Sequence, residues 1–392
     1  MNPSTSPASF ASPRPIFGRI DSLRALGAMA VAANHFCGLS LHGVSIMGEQ
    51  AWAGAGAWQE VVRKVSHILM PGHAAVMMFF VISGFVLRLA LAHGPQTIRE
   101  ATSKFLIGRA FRIYPIVGFA VIVTALAAGW ALQNPQNGSL TLPTLLSNML
   151  LLECTVNNNY WALQVEILMI PVILALYFLE CRRGPWVILA LGVATSFLSF
   201  SMRWAIWPPL SNNVFAFVLG MAIPTLGRQF AVGCSRRGAG FWTVGSLAVL
   251  FLTQPCFGLY SRFSGFFEGY ASFVLISMTA YRLDLSFLAV LDNKILRTAG
   301  LAAGSYYLLH TATFRPAMTV AAWLVPATWS EQAPALVGAL VMGVWLMALV
   351  PLTVATYFLI EAPSIGLGRR LVKRCGLDGR PVEAKPAHKM AA

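Results

Sequence analysis

Seven ionisable residues stand inside long apolar stretches of the sequence, where a charge is costly. They are Arg24, His35, Arg88, Arg112, Glu166, His310 and Arg315. Such residues are candidate functional groups, because an apolar span tolerates them mainly where they pair or take part in chemistry. Histidine and glutamate can transfer protons, and arginine binds phosphates and carboxylates. The set predicts proton transfer close to an anion-binding site.

Their spacing along predicted helices brings several of these groups together. Arg24 and His35 are eleven residues apart, about three helical turns, so both project from one face. At ~1.5 Å of rise per residue, His35 lies ~20 Å from the inner end of its span and ~10 Å from the outer end, and His310 ~16 Å from the inner end. Glu166 lies ~8 Å below the outer end of its own span. We therefore expect three proton-capable groups at similar depth.

The composition requires a membrane setting for these residues. Of the 392 residues, 57% are hydrophobic and only 11% are charged, whereas a soluble globular protein is ~25% charged. Soluble and disordered classes are therefore excluded. The net charge of +14 indicates basic cytoplasmic loops rather than a nucleic-acid partner. Six scattered cysteines show no metal-ligand spacing, so neither a metal site nor a disulfide framework is predicted.

Ten segments are apolar and long enough to cross a bilayer, which takes ~20 residues. They cover about 22–42, 73–93, 113–132, 161–180, 185–202, 211–227, 240–256, 265–281, 299–324 and 335–360. Residues 140–152 form a shorter apolar stretch, predicted to be interfacial or re-entrant. We therefore predict an all-α, polytopic membrane protein with about ten transmembrane helices. Residues 1–18 should form a disordered tail, 19–368 the membrane domain and 369–392 a basic cytoplasmic tail.

The distribution of basic residues orients this arrangement. With both termini cytoplasmic, the inner side carries 23 of the 28 lysines and arginines. The outer side keeps only Arg63, Lys64, Arg203, Arg262 and Arg315. This asymmetry is what the positive-inside rule predicts for ten spans.

Each candidate also has a purely structural interpretation. His310 could be a histidine that is only hydrogen-bonded to a neighbouring helix, and Arg88 could extend to the headgroups. Arg109 and Arg112 could serve only as topology determinants. Ser83-Gly84 could simply permit close helix packing, and Glu361 could mark a helix end.

Six short motifs, in order along the chain, resemble the acyltransferase-three family of integral-membrane acyltransferases. The motifs are Arg19-Ile-Asp-Ser-Leu-Arg24 with His35, Phe79-Phe-Val-Ile-Ser-Gly-Phe85, Arg109-Ala-Phe-Arg112-Ile-Tyr-Pro115, Trp161-Ala-Leu-Gln-Val-Glu166, Gly304-Ser-Tyr-Tyr-Leu-Leu-His310 and Tyr357-Phe-Leu-Ile-Glu361-Ala-Pro363. Each is individually weak, but six in order over most of the chain are specific. Ser22 and Ala25 stand where the family usually has glycine, which leaves the charged positions unchanged.

The resemblance implies transfer of an acyl group, commonly acetyl, from cytoplasmic acyl-CoA to a hydroxyl of a carbohydrate or similar acceptor. It also implies that Arg24 and His35 are required. No permanently bound cofactor is expected. The expected partners are acyl-CoA, a glycan or glycolipid acceptor and the lipid bilayer, and the expected location is the bacterial inner membrane.

The residues suit that chemistry. Arg24, Arg109 and Arg112 are placed to bind the phosphates of CoA, since guanidinium makes bidentate phosphate contacts. His35 could deprotonate the attacking hydroxyl or carry the acyl group itself. Glu166 could orient the imidazole, stabilise imidazolium or bind sugar hydroxyls, and His310 is a third candidate catalytic residue.

Two other classes of function compete with acyl transfer. A secondary transporter could use the intramembrane His and Glu side chains as a proton relay, although no inverted repeat is visible. An intramembrane hydrolase could use Ser83 as its nucleophile. We rank the hydrolase last, because Ser83 stands in no G-x-S-x-G sequence.

Overall fold

Helices form nearly all of the structure, a computed structural model that describes residues 14–42, 44–45, 57–92, 97–130, 141–201, 207–258 and 261–377. The described strands are Ser40–Leu41 (β1) and Val44–Ser45 (β2), which pair antiparallel in a small hairpin. The prediction of an all-α protein is confirmed.

The helices follow one another through short connections. In the first half of the chain they are α1 (Arg14–Cys37), α2 (Ala57–Leu69), α3 (Gly72–Ala92), α4 (Ile98–Trp130), α5 (Leu142–Met149), α6 (Trp161–Arg183), α7 (Trp186–Ser201), α8 (Pro208–Ser211) and α9 (Val214–Ala222). In the second half they are α10 (Arg228–Gly233), α11 (Arg236–Phe257), α12 (Arg262–Tyr281), α13 (Lys294–Leu301), α14 (Ala303–Leu309), α15 (Phe314–Leu324), α16 (Ala327–Gln332), α17 (Pro334–Thr356) and α18 (Ala362–Arg374). Single 3₁₀ segments cover Asn158–Tyr160 and Ser286–Asp292, and π-helical turns cover Ile223–Gly227 and Tyr357–Glu361.

Six helical stretches of the described chain are long and apolar enough to cross a membrane. They are Gly72–Ala92, Ile98–Ala127, Asn158–Arg183, Pro208–Gly233, Arg236–Phe257 and Leu336–Arg374. A seventh span results if Phe263–Tyr281 and Ser286–Asp292, which meet at 84°, are counted together. These stretches agree with seven of the predicted segments. The total of ten spans and the cytoplasmic position of both termini stay predictions.

Several predicted boundaries were wrong. Helix α4 begins at Ile98, fifteen residues before the predicted start of its span at residue 113. Helix α1 begins at Arg14, inside the segment expected to be a disordered tail, while residues 1–13 lie outside the described chain. The apolar stretch at residues 140–152, described from residue 141, contains the eight-residue helix α5, which is too short to cross a bilayer; its interfacial or re-entrant position stays a prediction.

The predicted ninth span, residues 299–324, is three helices rather than one. It breaks after Leu301 and again between α14 and α15. At the second break the indole Nε1 of Trp345 donates to the carbonyl oxygen of His310 at 3.2 Å and to Oγ1 of Thr313 at 2.8 Å. Because the indole satisfies the His310 carbonyl, the backbone can leave the helical pattern there at little cost.

A close approach of α3 and α9 lies at the centre of the larger apolar core. A β-carbon on Gly84 would lie 2.1 Å from the carbonyl oxygen of Phe217, and one on Gly220 would lie 2.1 Å from that of Val81. Only glycine fits at both positions, so the packing interpretation of Gly84 is confirmed. A second core lies between α1, α4, α15 and α17.

Two ion pairs, at Arg88 and at Arg19, fix helices that approach the candidate site. Arg88 does not extend to the headgroups as suggested, because its Nε donates to Glu180 at 2.6 Å and its guanidinium lies 4.8 Å from the ring centre of Tyr177. At the start of α1, Arg19 binds Asp292 at 2.7 Å. These contacts hold α3 against α6, and α1 against the segment before α13.

Candidate active site

A small central cavity brings together most of the predicted charged residues. Its volume is about 130 Å³, and its lining includes Arg24 of α1, Arg109 and Arg112 of α4, and Glu166 of α6. The three arginines expected to bind the donor therefore share one cavity with one of the three proposed catalytic groups. We call it the central cavity.

Arg109 and Glu166 form an ion pair at the wall of the central cavity. Nη1 of Arg109 lies 2.7 Å from Oε1 of Glu166, and Oγ of Ser83 donates to the same oxygen at 3.3 Å. Arg24 makes a longer contact of 4.0 Å with Asp21, one turn earlier on α1. The pairing of Arg109 offsets part of the cost of burying its charge and fixes its guanidinium.

Glu361 also lines the central cavity, although the sequence suggested only a helix end there. The carboxylate of Glu361 accepts a hydrogen bond of 2.6 Å from Oγ of Ser305, and only 4% of Glu361 is exposed. It ends the π-helical turn Tyr357–Glu361. Such turns are frequent at functional sites, and the acidic residue after a long apolar helix was the signal that could have identified it.

His35 and His310 contact each other directly. Nδ1 of His35 lies 2.8 Å from Nε2 of His310, and the two rings are stacked with their planes 16° apart. His310 is fully buried, and it stands at the break that separates α14 from α15. We call these two residues the histidine pair.

The hydrogen bonds of the histidine pair determine which ring nitrogens carry protons. Nδ1 of His310 lies 2.5 Å from the carbonyl oxygen of Tyr307, and since a carbonyl only accepts, this nitrogen must donate. In a neutral His310 the Nε2 atom is then an acceptor, so the proton between the rings belongs to Nδ1 of His35. A neutral His35 therefore has its lone pair on Nε2, as a general base requires.

Tyr307 connects the histidine pair to the central cavity. It lines that cavity, and its ring centre is 5.7 Å from that of His310. Neither histidine is among the described residues that line the cavity, so the pair lies behind Tyr307. The carboxylate of Glu166 binds Arg109 and Ser83. The side chain that contacts the ring of His35 and can orient it is therefore His310 rather than Glu166.

Two further cavities are lined in part by helices that also line the central one. The first, which we call the basic cavity, has a volume of about 330 Å³ and shares Arg109 and Arg112 with the central cavity, while Lys104 and Arg369 add two more cations. The second, which we call the polar cavity, has a volume of about 1020 Å³ and is lined by the first turns of α3, α6 and α12 and by the residues just before α9. Lys104 and Arg369 were not singled out from the sequence.

These features define a class of protein: a multi-pass membrane protein whose apolar helices enclose an arginine-lined cavity and a histidine pair. Residues 17–360 match the family model described as Acyltransferase domain, which is the acyltransferase-three family. The match covers most of the chain, and the protein belongs to this family of membrane acyltransferases. No curated protein and no solved structure matches the chain.

The family match confirms the resemblance that the six motifs indicated, and it gives no support to the transporter alternative. The hydrolase alternative also finds no support in the geometry. Oγ of Ser83 donates to the carboxylate of Glu166, within the helix α3. A serine nucleophile needs its proton removed by a base such as histidine, and the imidazoles of the histidine pair bind each other instead.

Proposed function

We propose that the protein is an O-acyltransferase of the bacterial inner membrane that moves an acyl group, acetyl in the simplest case, from cytoplasmic acyl-CoA to a hydroxyl of a carbohydrate. The acceptor would be of the lipopolysaccharide or exopolysaccharide type. The observation that carries the proposal is that Arg109 and Arg112 line both the basic and the central cavity, one turn of α4 apart.

The donor would enter by the basic cavity. The phosphates of acyl-CoA are anionic, and four cations line this cavity, namely Lys104, Arg109, Arg112 and Arg369. Arginine forks match phosphate geometry and remain charged in apolar surroundings. The narrow pantetheine arm would then extend past Arg109 and Arg112 into the central cavity, which has room for a slender chain and not for the nucleotide.

The histidine pair supplies the base. Nε2 of His35 takes the proton from the acceptor hydroxyl as its oxygen attacks the thioester carbonyl, the carbon–sulfur bond breaks, and the thiolate of CoA leaves with a proton returned by the imidazolium. His310 holds the ring through Nδ1 and accepts its hydrogen bond in both protonation states. Glu166, paired with Arg109, keeps a cation of the donor site in place.

A transfer assay tests this proposal. The purified chain in nanodiscs is incubated with radiolabelled acetyl-CoA and p-nitrophenyl glycosides of neutral hexoses, and the acylated glycoside is measured. His35→Ala should abolish transfer, because loss of a general base costs ~10²–10⁴-fold. His42→Ala is the matched control, since His42 lies in the small hairpin and binds the carbonyl of Val325 at 2.9 Å.

The natural acceptor is identified by comparing cell-surface glycans with and without the gene by mass spectrometry. The proposal expects the loss of an acyl mass from one glycan. Wild-type protein that transfers no label, together with unchanged glycans, would refute it.

A further inference from the structure

We propose that the polar cavity is the acceptor site and that it binds a neutral saccharide. This inference rests on the proposed function, and it names the class of acceptor and the place where it binds. Its volume of about 1020 Å³ stands at the upper end of the ~300–1,000 Å³ typical of ligand pockets.

The side chains of the polar cavity suit a sugar. Short polar groups face it from several helices and loops, among them Glu153, Asn158, Gln164, Ser199, Asn212 and Asn213. Trp161 and Trp207 add flat aromatic surfaces. Amides and hydroxyls can donate and accept hydrogen bonds with ring hydroxyls, while an aromatic face packs on the apolar face of a pyranose.

The charge of the polar cavity is the opposite of what a phosphorylated ligand needs. Neither lysine nor arginine is among its described lining residues, and its ionisable members are the carboxylate of Glu153, the thiol of Cys154 and the imidazole of His73. His73 is held by Glu268 at 2.5 Å, and Thr253 donates to the other oxygen of that buried carboxylate at 3.0 Å. The cavity therefore favours a neutral ligand, whereas the basic cavity favours an anionic one.

Helix α3 passes the three cavities in order. His73 and Met77 line the polar cavity, residues 76–83 contribute to the central cavity, and residues 86–91 contribute to the basic cavity. Leu91 is eighteen positions after His73, which corresponds to ~27 Å of helix, close to the ~30 Å of a bilayer core. The polar and basic cavities therefore lie towards opposite ends of the bundle.

The residues around the histidine pair contact elements that line the central and the polar cavity. On one side Tyr307 lines the central cavity and contacts His310. On the other side Asn157 donates to Thr311, next to His310, at 2.5 Å, and the hydroxyl of Tyr307 donates to the carbonyl of Asn159 at 3.0 Å. Asn158, between these two asparagines, lines the polar cavity. In this proposal the acceptor hydroxyl reaches the base from the polar cavity, and the thioester reaches it from the central cavity.

Binding can be measured without turnover in a His35→Ala background, so that the result does not depend on catalysis. Saturation-transfer NMR with p-nitrophenyl β-glucoside gives a dissociation constant for the full chain in nanodiscs. Trp207→Leu and Asn212→Leu should each raise it at least about tenfold, through loss of stacking and of hydrogen bonds. Trp186→Leu is the matched control, because Trp186 is 66% exposed and lies outside the polar cavity.

Two further probes define the ligand class. A p-nitrophenyl glucuronide, in which a carboxylate replaces the hydroxymethyl group of the same ring, should bind more weakly than the glucoside. Decanol should not compete with the glucoside. The proposal would be overturned if Trp207→Leu and Asn212→Leu bound the glucoside as tightly as the His35→Ala parent does. It would also be overturned if the glucoside did not bind to the parent, or if decanol displaced it. Failure of the proposed function looks different, because wild-type protein would then bind the glucoside and transfer no acyl group to it.

Discussion

The hydrogen bond between the two histidines should set the catalytic rate. Replacing His310 with Leu removes the acceptor at 2.8 Å from Nδ1 of His35. A hydrogen bond contributes ~0.5–1.5 kcal/mol net, and ~1.4 kcal/mol is tenfold in a population. The tautomer of His35 with its lone pair on Nε2 should therefore become up to ~10-fold rarer.

Loss of ring orientation adds to this effect. The base as a whole is worth ~10²–10⁴-fold, so we expect kcat to fall ~10- to 100-fold in His310→Leu. The KM for acyl-CoA should not change, since His310 does not line the central or the basic cavity. His310→Gln should stay within ~10-fold of wild type, because one amide can donate to the carbonyl of Tyr307 and accept from His35.

Initial rates with radiolabelled acetyl-CoA measure both constants, and the thermal midpoint of each variant controls for folding. His42→Leu serves as a histidine control outside the pair. The reasoning fails if His310→Leu keeps the wild-type kcat, or if the Gln variant is as impaired as the Leu variant in proteins of equal stability.

Three other changes have defined outcomes. Arg112→Gln should raise the KM for acyl-CoA ~10-fold with a smaller effect on kcat, as measured by initial rates, because a phosphate interaction that is equally strong in the ground and transition states affects binding alone. Gly84→Ala should lower the thermal midpoint by forcing α3 and α9 apart, at a cost of ~1–3 kcal/mol, whereas Gly118→Ala, where the added carbon meets no atom of the described chain within 4 Å, should not. Glu180→Gln should destabilise the protein by ~3–5 kcal/mol by leaving Arg88 buried without its partner, and the double variant Arg88→Met, Glu180→Leu should recover most of that loss in a thermal unfolding assay.

The sequence predicted the features that depend on local composition. Apolar length identified the six helical stretches that are long enough to cross a membrane, and the cost of charge in an apolar segment singled out Arg24, Arg112, Glu166 and the two histidines. Three of those five residues line one cavity, and the other two contact each other. The presence of an ionisable side chain in an apolar segment was sufficient to identify these residues, because few side chains in such a chain can take part in chemistry.

Pairings between distant segments could not be predicted in this way. Glu166 and His35 were expected to interact because their estimated depths agreed, but depth along a helix does not fix the direction in which a side chain points. Arg88 was judged alone, although Glu180 lies at the far end of another helix. At the break after α14, the carbonyl of His310 accepts a hydrogen bond from the indole of Trp345, which is 35 residues further along the chain.

The order of the cavities along α3 bears on how the two substrates could meet. If acyl-CoA fills the basic cavity and a neutral sugar the polar cavity, each substrate is held by groups that suit it and would suit the other poorly. Four cations would bind a neutral sugar weakly, and a cavity with neither lysine nor arginine among its described lining residues would bind phosphates weakly. The substrates would then be sorted by charge at opposite ends of the bundle. Only the thioester and one hydroxyl need to reach the histidine pair, and a small central cavity of about 130 Å³ is sufficient for that.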